Sequence, residues 1–138
     1  MVATIDINKV NSVISLYKHT ERTIEEGSDE HLDLILDVTN DLVLITAKTK
    51  ELVDEIEGKF NMFTQETAEK AVISLFPIIR MAFQIMKTLE RSFIYSSVKV
   101  HVDNFNIEVN DLKEFMSDLI RYKSQNNDDL IALFNDEN

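Results

Sequence analysis

Two glycines and one proline are the only strong chain breakers in 138 residues. Antiparallel sheets turn every few residues and build those turns largely from Gly, Pro, Asn and Asp. Asn and Asp are plentiful here, but most fall inside apolar patterns with helical spacing. Such a chain is expected to form long helices joined by few turns. Its two glycines, Gly27 and Gly58, are the natural stops in the first half.

The first segment runs from about Asp6 to Glu26. Val10, Val13, Ile14, Tyr17 and Ile24 recur at helical steps and give it one apolar face. Asp6 is placed to cap its start and Ile5 to staple the entry. Gly27 ends it, since glycine tolerates the left-handed conformation that helix ends often need. The second segment runs from about Ser28 to Glu57. Ser28 is the expected N-cap, and Asp29, Glu30 and Asp33 sit where the helix dipole is positive. Leu34, Val38, Leu42, Ile45, Thr49, Leu52 and Ile56 follow a 4-4-3-4-3-4 spacing. Leu32, Ile35 and Val43 are read as widening that stripe, and Gly58 as the second stop.

A third segment begins between Asn61 and Thr64, and a fourth ends near Ser124. Val98, Val100 and Val102 alternate with polar residues as a short strand would. However, Val98, Val102, Phe105, Val109, Leu112, Met116 and Leu119 form a longer seven-residue repeat, so the spacing predicts a helix. The inward frame of the third segment, Leu75, Ile79, Ala82, Met86, Leu89 and Phe93, does not continue in phase into Val98. A break or bend is therefore expected near residues 95–98, with Asp103–Asn104 as the alternative. An unbroken helix from 64 to 123 would span about 90 Å. With the break, the pattern predicts an all-α fold: an antiparallel bundle of about four long helices over residues 1–125. A short C-terminal helix or tail follows at 126–138.

The run AVISLFPIIRMAFQIM, residues 71–86, is the most apolar in the chain. A bilayer-spanning helix needs about 20 predominantly apolar residues. This run is shorter and holds Arg80 and Gln84, so no membrane span is expected. Lys70, Ser74, Pro77, Gln84, Lys87 and Arg91, with Arg80 between them, form one narrow polar stripe. A helix apolar on nearly all other sides belongs in the middle of a bundle or in an interface. Phe76, Ile79, Phe83 and Met86 are the candidate oligomer or partner surface, and a homodimer is the expected assembly. Pro77 lacks an N–H, so the Ile73 carbonyl loses its helical partner. The polar stripe keeps its phase on both sides, which predicts a kink in the third helix rather than a stop.

The formal net charge is −11, which disfavours nucleic acid as a direct ligand. Residues 28–58 hold nine acids and two lysines, whereas 59–100 hold three acids and six bases. That complementarity predicts that the second and third segments lie side by side. Glu30, Asp33, Asp37 and Asp41 form an acidic ladder along one helix face. Like charges four residues apart repel by a few tenths of a kcal/mol per pair. The ladder is either a solvated face or a docking face for a basic protein. In the docking case it could also imitate a phosphate backbone, as an inhibitor of a nucleic-acid enzyme would.

Several chemistries lack their residues. There is no cysteine for a thiolate zinc site or a thiol nucleophile. Two isolated glycines cannot form a phosphate-cradling loop. The residues three before His19, His31 and His101 are Leu16, Ser28 and Val98, so the Glu-x-x-His pairs of di-iron bundles are missing. No catalytic residue, metal or cofactor is expected. The start, MVATIDINKV, shows no basic region followed by an apolar run, so a cytoplasmic protein without a signal peptide is expected.

The end, NNDDLIALFNDEN, places Leu130, Ile131, Leu133 and Phe134 among acids and amides. This knot either docks on the bundle or serves as a linear motif that orders on binding. DLIALF resembles the hexapeptides that dock in the bacterial sliding-clamp groove, with Asp129 where their leading Gln stands. LIALF is similar to a clathrin box without its final acid. Taken together, the sequence leads to the expectation of an acidic, non-enzymatic helical protein that binds another protein as regulator, inhibitor, antitoxin or immunity protein, or adaptor. The alternative is a self-assembling structural subunit joined through residues 71–93.

Overall fold

The computed structural model describes residues 2–27, 31–123 and 132. It is an all-α, antiparallel-style bundle of four helices. These are α1 (Ile7–Glu26), α2 (His31–Lys59), α3 (Gln65–Glu90) and α4 (Tyr95–Lys123), with one 3₁₀ turn at Phe60–Met62 between α2 and α3. The tail residues Leu130, Ile131, Leu133 and Phe134, together with Ser28, Asp29 and Glu30, lie outside the described residues.

Caps fix the helix starts. The Asp6 carboxylate accepts from the backbone N–H groups of Asn8 and Lys9, which satisfies two donors that a helix start leaves unpaired. Thr64 and Thr67 form a reciprocal capping box at the start of α3, each hydroxyl accepting the other's backbone N–H at 3.2 and 2.9 Å. Gly27 ends α1 with φ 59°, a conformation that a side chain would strain. Gly58 does not act as the second stop. Helix α2 runs through it to Lys59 and tightens into the 3₁₀ turn, and Gly58 keeps a negative φ.

The apolar repeats become the core. All seven members of the 34–56 series on α2 are buried, and so are all seven of the 98–119 repeat on α4. Each fully buried Leu, Ile, Val, Met or Phe contributes roughly 1.5–3 kcal/mol relative to exposure. Ala3 and Ile5 close the lower end together with Phe63, and the Ala3 N–H donates to the Met62 carbonyl at 3.0 Å.

The chain breaks between α3 and α4 at residues 91–94, just before the expected 95–98, and Asp103–Asn104 lies within α4. Ile94 fills the buried position at this turn, and Phe93 points out, contrary to its expected inward frame. The Ser92 hydroxyl accepts the Ile94 N–H and helps hold the turn. Helix α3 is continuous through Pro77. The Ile73 carbonyl that Pro77 cannot serve belongs to an exposed residue, where water is at hand to take the bond.

Packing runs α1 on α2, α2 on α4, α4 on α3 and α3 on α1. Helices α2 and α3 are therefore diagonal, and the expectation that their opposite charges bring them together fails. Exposed ion pairs are worth about 0–1 kcal/mol each, far less than buried apolar stripes. Much of the charge is also balanced within each helix, as in Lys48–Glu51, Lys50–Asp54 and Lys70–Glu66.

Candidate functional site

The acidic ladder splits when α2 meets α1. Asp33 and Asp37 are exposed, whereas Asp41 turns into the seam between the two helices. Its Oδ2 lies 3.6 Å from Nε2 of His19, beyond hydrogen-bond reach, and has no hydrogen-bond partner among the described residues. Burial pushes the Asp41 carboxyl above the ordinary carboxylate range. His19 and the Thr23 hydroxyl pull it back, and Asp37 pushes it up further. Asp41 is thus a seam residue rather than part of an open docking face. Glu55 repeats the arrangement lower down, with Oε2 3.7 Å from Lys9 Nζ and Oε1 3.0 Å from Lys59 Nζ.

At mid-bundle, the Tyr17 hydroxyl meets Oγ1 of Thr49 at 2.5 Å. Thr49 donates its own proton to the Ile45 carbonyl, so Tyr17 is the donor to Thr49. Burial raises the Tyr17 phenol far above its usual value and keeps it neutral. The ring also packs edge-on to Phe105, with centroids 5.6 Å apart. This group is enclosed and satisfied, and it serves the fold.

The upper cleft holds His19, Thr23, Asp37, Asn40 and Asp41. It can hold a proton or a charge pair. The hydroxyl in it, that of Thr23, lies between the His19 carbonyl, to which it donates at 2.9 Å, and the Asp41 carboxylate. A second groove lies between the entry to α1 and the start of α3. Three of its polar groups are engaged: Thr67 in the capping box, Ser74 with the Lys70 carbonyl, and Lys70 with Glu66. A small-molecule pocket needs converging polar groups that are free to orient a ligand. Among the described residues, no group of three or more His, Asp or Glu stands where it could hold a metal ion.

The quartet proposed as an interface also divides. Phe76 and Ile79 are buried by this chain's own helices, and Met86 packs half-buried against the core. Phe83 alone is outward, 50% exposed, with Lys87 Nζ 6.0 Å from its ring centroid. By length and composition α3 is apolar enough to cross a membrane, with a mean hydropathy of 1.4 over 18 residues. Half of that window is buried inside the bundle.

Among the described residues, the largest set of outward apolar side chains on one helix lies instead on α2. Leu32, Leu36 and Val43 are 67%, 53% and 54% exposed, and Leu44 flanks them. At 100° per residue the three fall within an arc of about 40°, roughly 120–160° from the centre of the buried stripe. Leu32 and Val43 therefore do not widen the core, whereas Ile35 packs against it as expected and Val53 is buried at the same angle. The same arithmetic on the sequence would have found this second line. Asp33 and Asp37 run beside it. Above it, the exposed Phe93 ring stands edge-on to His31, with centroids 4.7 Å apart.

No family model matches the chain, and neither does a curated protein or a solved structure.

Proposed function

We propose that this protein acts by binding another protein, as a regulator, inhibitor, antitoxin or immunity protein, or adaptor would. The observation that carries this reading is the outward line of Leu32, Leu36 and Val43, each more than half exposed and bordered by carboxylates. Single exposed apolar residues are ordinary, but an ordered line of them on one helix is a feature of interaction surfaces. Burying such a line against a partner recovers roughly 25 cal/mol per Å² of apolar area. The test is affinity capture with the full chain as bait, alongside a variant carrying Leu36→Ser and Val43→Ser. A protein retained by the parent chain and lost from the variant supports the reading. Identical capture profiles sink it.

A second reading, self-assembly through residues 71–93, draws on the outward Ile73 and Phe83 of α3. A solution mass decides it, because a strict monomer at high concentration leaves no assembly to explain. A phosphate-mimicking role has less support. Asp33 and Asp37 are the only carboxylates of the described ladder that face solvent, too few to trace a nucleic-acid backbone.

A further inference from the structure

We propose that the upper outer face of α2 is a docking site for a cationic amphipathic helix of a partner protein; this rests on the protein-binding reading above. Such a helix would lay its apolar stripe along Leu32, Leu36 and Val43. Its Lys or Arg row would run beside Asp33 and Asp37.

Packing within the bundle does not account for this face. Helices α2 and α3 each pack on α1 and α4, so they occupy corresponding positions in the bundle. Yet α3 turns Lys70, Arg80, Gln84 and Lys87 outward around two separate apolar residues, Ile73 and Phe83, while the upper half of α2 turns out Leu32, Leu36, Val43 and Leu44 with Asp33 and Asp37. The fold therefore tolerates a polar outer face at this position and does not require an apolar one.

The two halves of α2 also differ in charge. In its lower half all three lysines pair with acids of the same helix, as Lys48–Glu51, Lys50–Asp54 and Lys59–Glu55. Its upper half, residues 31–47, contains no Lys or Arg at all. Asp33 and Asp37 make no ion pair with any described residue. Asp33 lies in the first turn, where the helix dipole favours it. Asp37 has no such support, and it repels Asp41 one turn along. A cationic partner relieves that repulsion.

Charge complementarity selects the occupant. A second copy of this chain brings another net −11, and an anionic membrane surface repels the aspartates. A helix fits the shape. The apolar line is straight and about 17 Å long, matching anchors at i, i+4 and i+11 on one face of a partner helix. The acidic field of the whole chain speeds the encounter and makes it sensitive to salt.

The test is a ¹⁵N NMR titration of the full chain with a synthetic peptide of about 18 residues, long enough to hold a helix. The peptide carries leucines on one face and lysines along one flank. A shuffled peptide of the same composition is the control. The expected result is saturable shifts confined to residues 32–47, weakening as salt rises. Affinity should fall about tenfold or more in Leu36→Ser with Val43→Ser, and severalfold in Asp33→Asn with Asp37→Asn. Both are surface changes, and circular dichroism verifies that the variants stay folded. Equal binding of the shuffled peptide overturns the proposal, as do shifts centred on another helix. A dimer that Leu36→Ser dissolves also overturns it, by giving the face to a second copy. If the captured protein depends on Leu36 and Val43 but the cationic peptide does not bind, this proposal falls and the protein-binding reading stands. If capture ignores Leu36 and Val43, that reading fails.

Discussion

Helices α2 and α3 stand diagonally in the bundle and share the same two neighbours, α1 and α4. The more apolar of them, α3, spends all its large apolar residues but Ile73, Phe83 and the half-buried Met81 and Met86 inward. Val72, Leu75, Phe76, Ile79, Ala82, Ile85 and Leu89 are all buried, and the outer face is mainly basic and polar. Helix α2 buries a narrower stripe and leaves a second apolar line outside, beside aspartates that form no ion pair with a described residue. The difference teaches that overall apolarity is a poor guide to where a helix meets a partner. What matters is the angle at which apolar residues remain after the core is filled.

The largest expected effect tests the inward helix. Phe76→Ala should destabilise the fold by about 3–5 kcal/mol, since it removes a large buried ring and leaves a cavity. Chemical denaturation measures this directly. A loss below about 1 kcal/mol would mean that Phe76 is not covered by its own chain. Tyr17→Phe should cost about 1 kcal/mol, because it removes one buried hydrogen bond while Thr49 keeps its bond to the Ile45 carbonyl.

Asp41→Asn should have a smaller effect, and of the opposite sign. The Asp41 carboxyl is raised in the folded state, so the folded chain holds its proton more tightly than the unfolded chain. The charged form therefore weakens the fold at neutral pH. That penalty fades as pH falls through the folded pKa and is gone below the unfolded value of about 4. Asp41→Asn should raise the midpoint of unfolding at pH 7 and leave it unchanged near pH 3. A gain that persists in acid would point to packing rather than charge. Smallest of all, Leu36→Ser with Val43→Ser should shift stability by no more than about 0.5 kcal/mol per site. A substantial loss would show that the outer line of α2 serves the fold.

Much of the fold was legible because the long apolar repeats carry their own period. The seven-residue series on α2 and on α4 go into the core residue for residue. Asp6, Gln65's neighbour Thr64, and Gly27 mark helix ends through local chemistry that sequence displays. Gly58 misled because a helix can continue through glycine at a cost of only about 1 kcal/mol. The pairing of helices was not legible. Net charge suggested α2 beside α3, but exposed charge is too weak to choose neighbours, and the short link at residues 60–64 carries the chain diagonally across the bundle end. At the candidate site the residue types were legible but not their directions. Asp41 sits one turn beyond Asp37, and that rotation alone moves it from solvent into the α1 seam. Leu32, Leu36 and Val43 were visible as apolar residues, and their shared angle was the signal passed over.

The contrast between the two helices can be measured without any partner in hand. The chain has no cysteine, so a single introduced thiol reports its own position alone. Val43→Cys on α2 and Val72→Cys on α3 are the same chemical change, at an outward and an inward site. Maleimide labelling rates of the two variants are the direct comparison. The thiol at 43 should react about as fast as a free thiol. The thiol at 72 should react orders of magnitude more slowly, limited by opening of the fold. Fast labelling at 72, or protection at 43 in the isolated monomer, would contradict the assignment of α3 to the core and α2 to the surface.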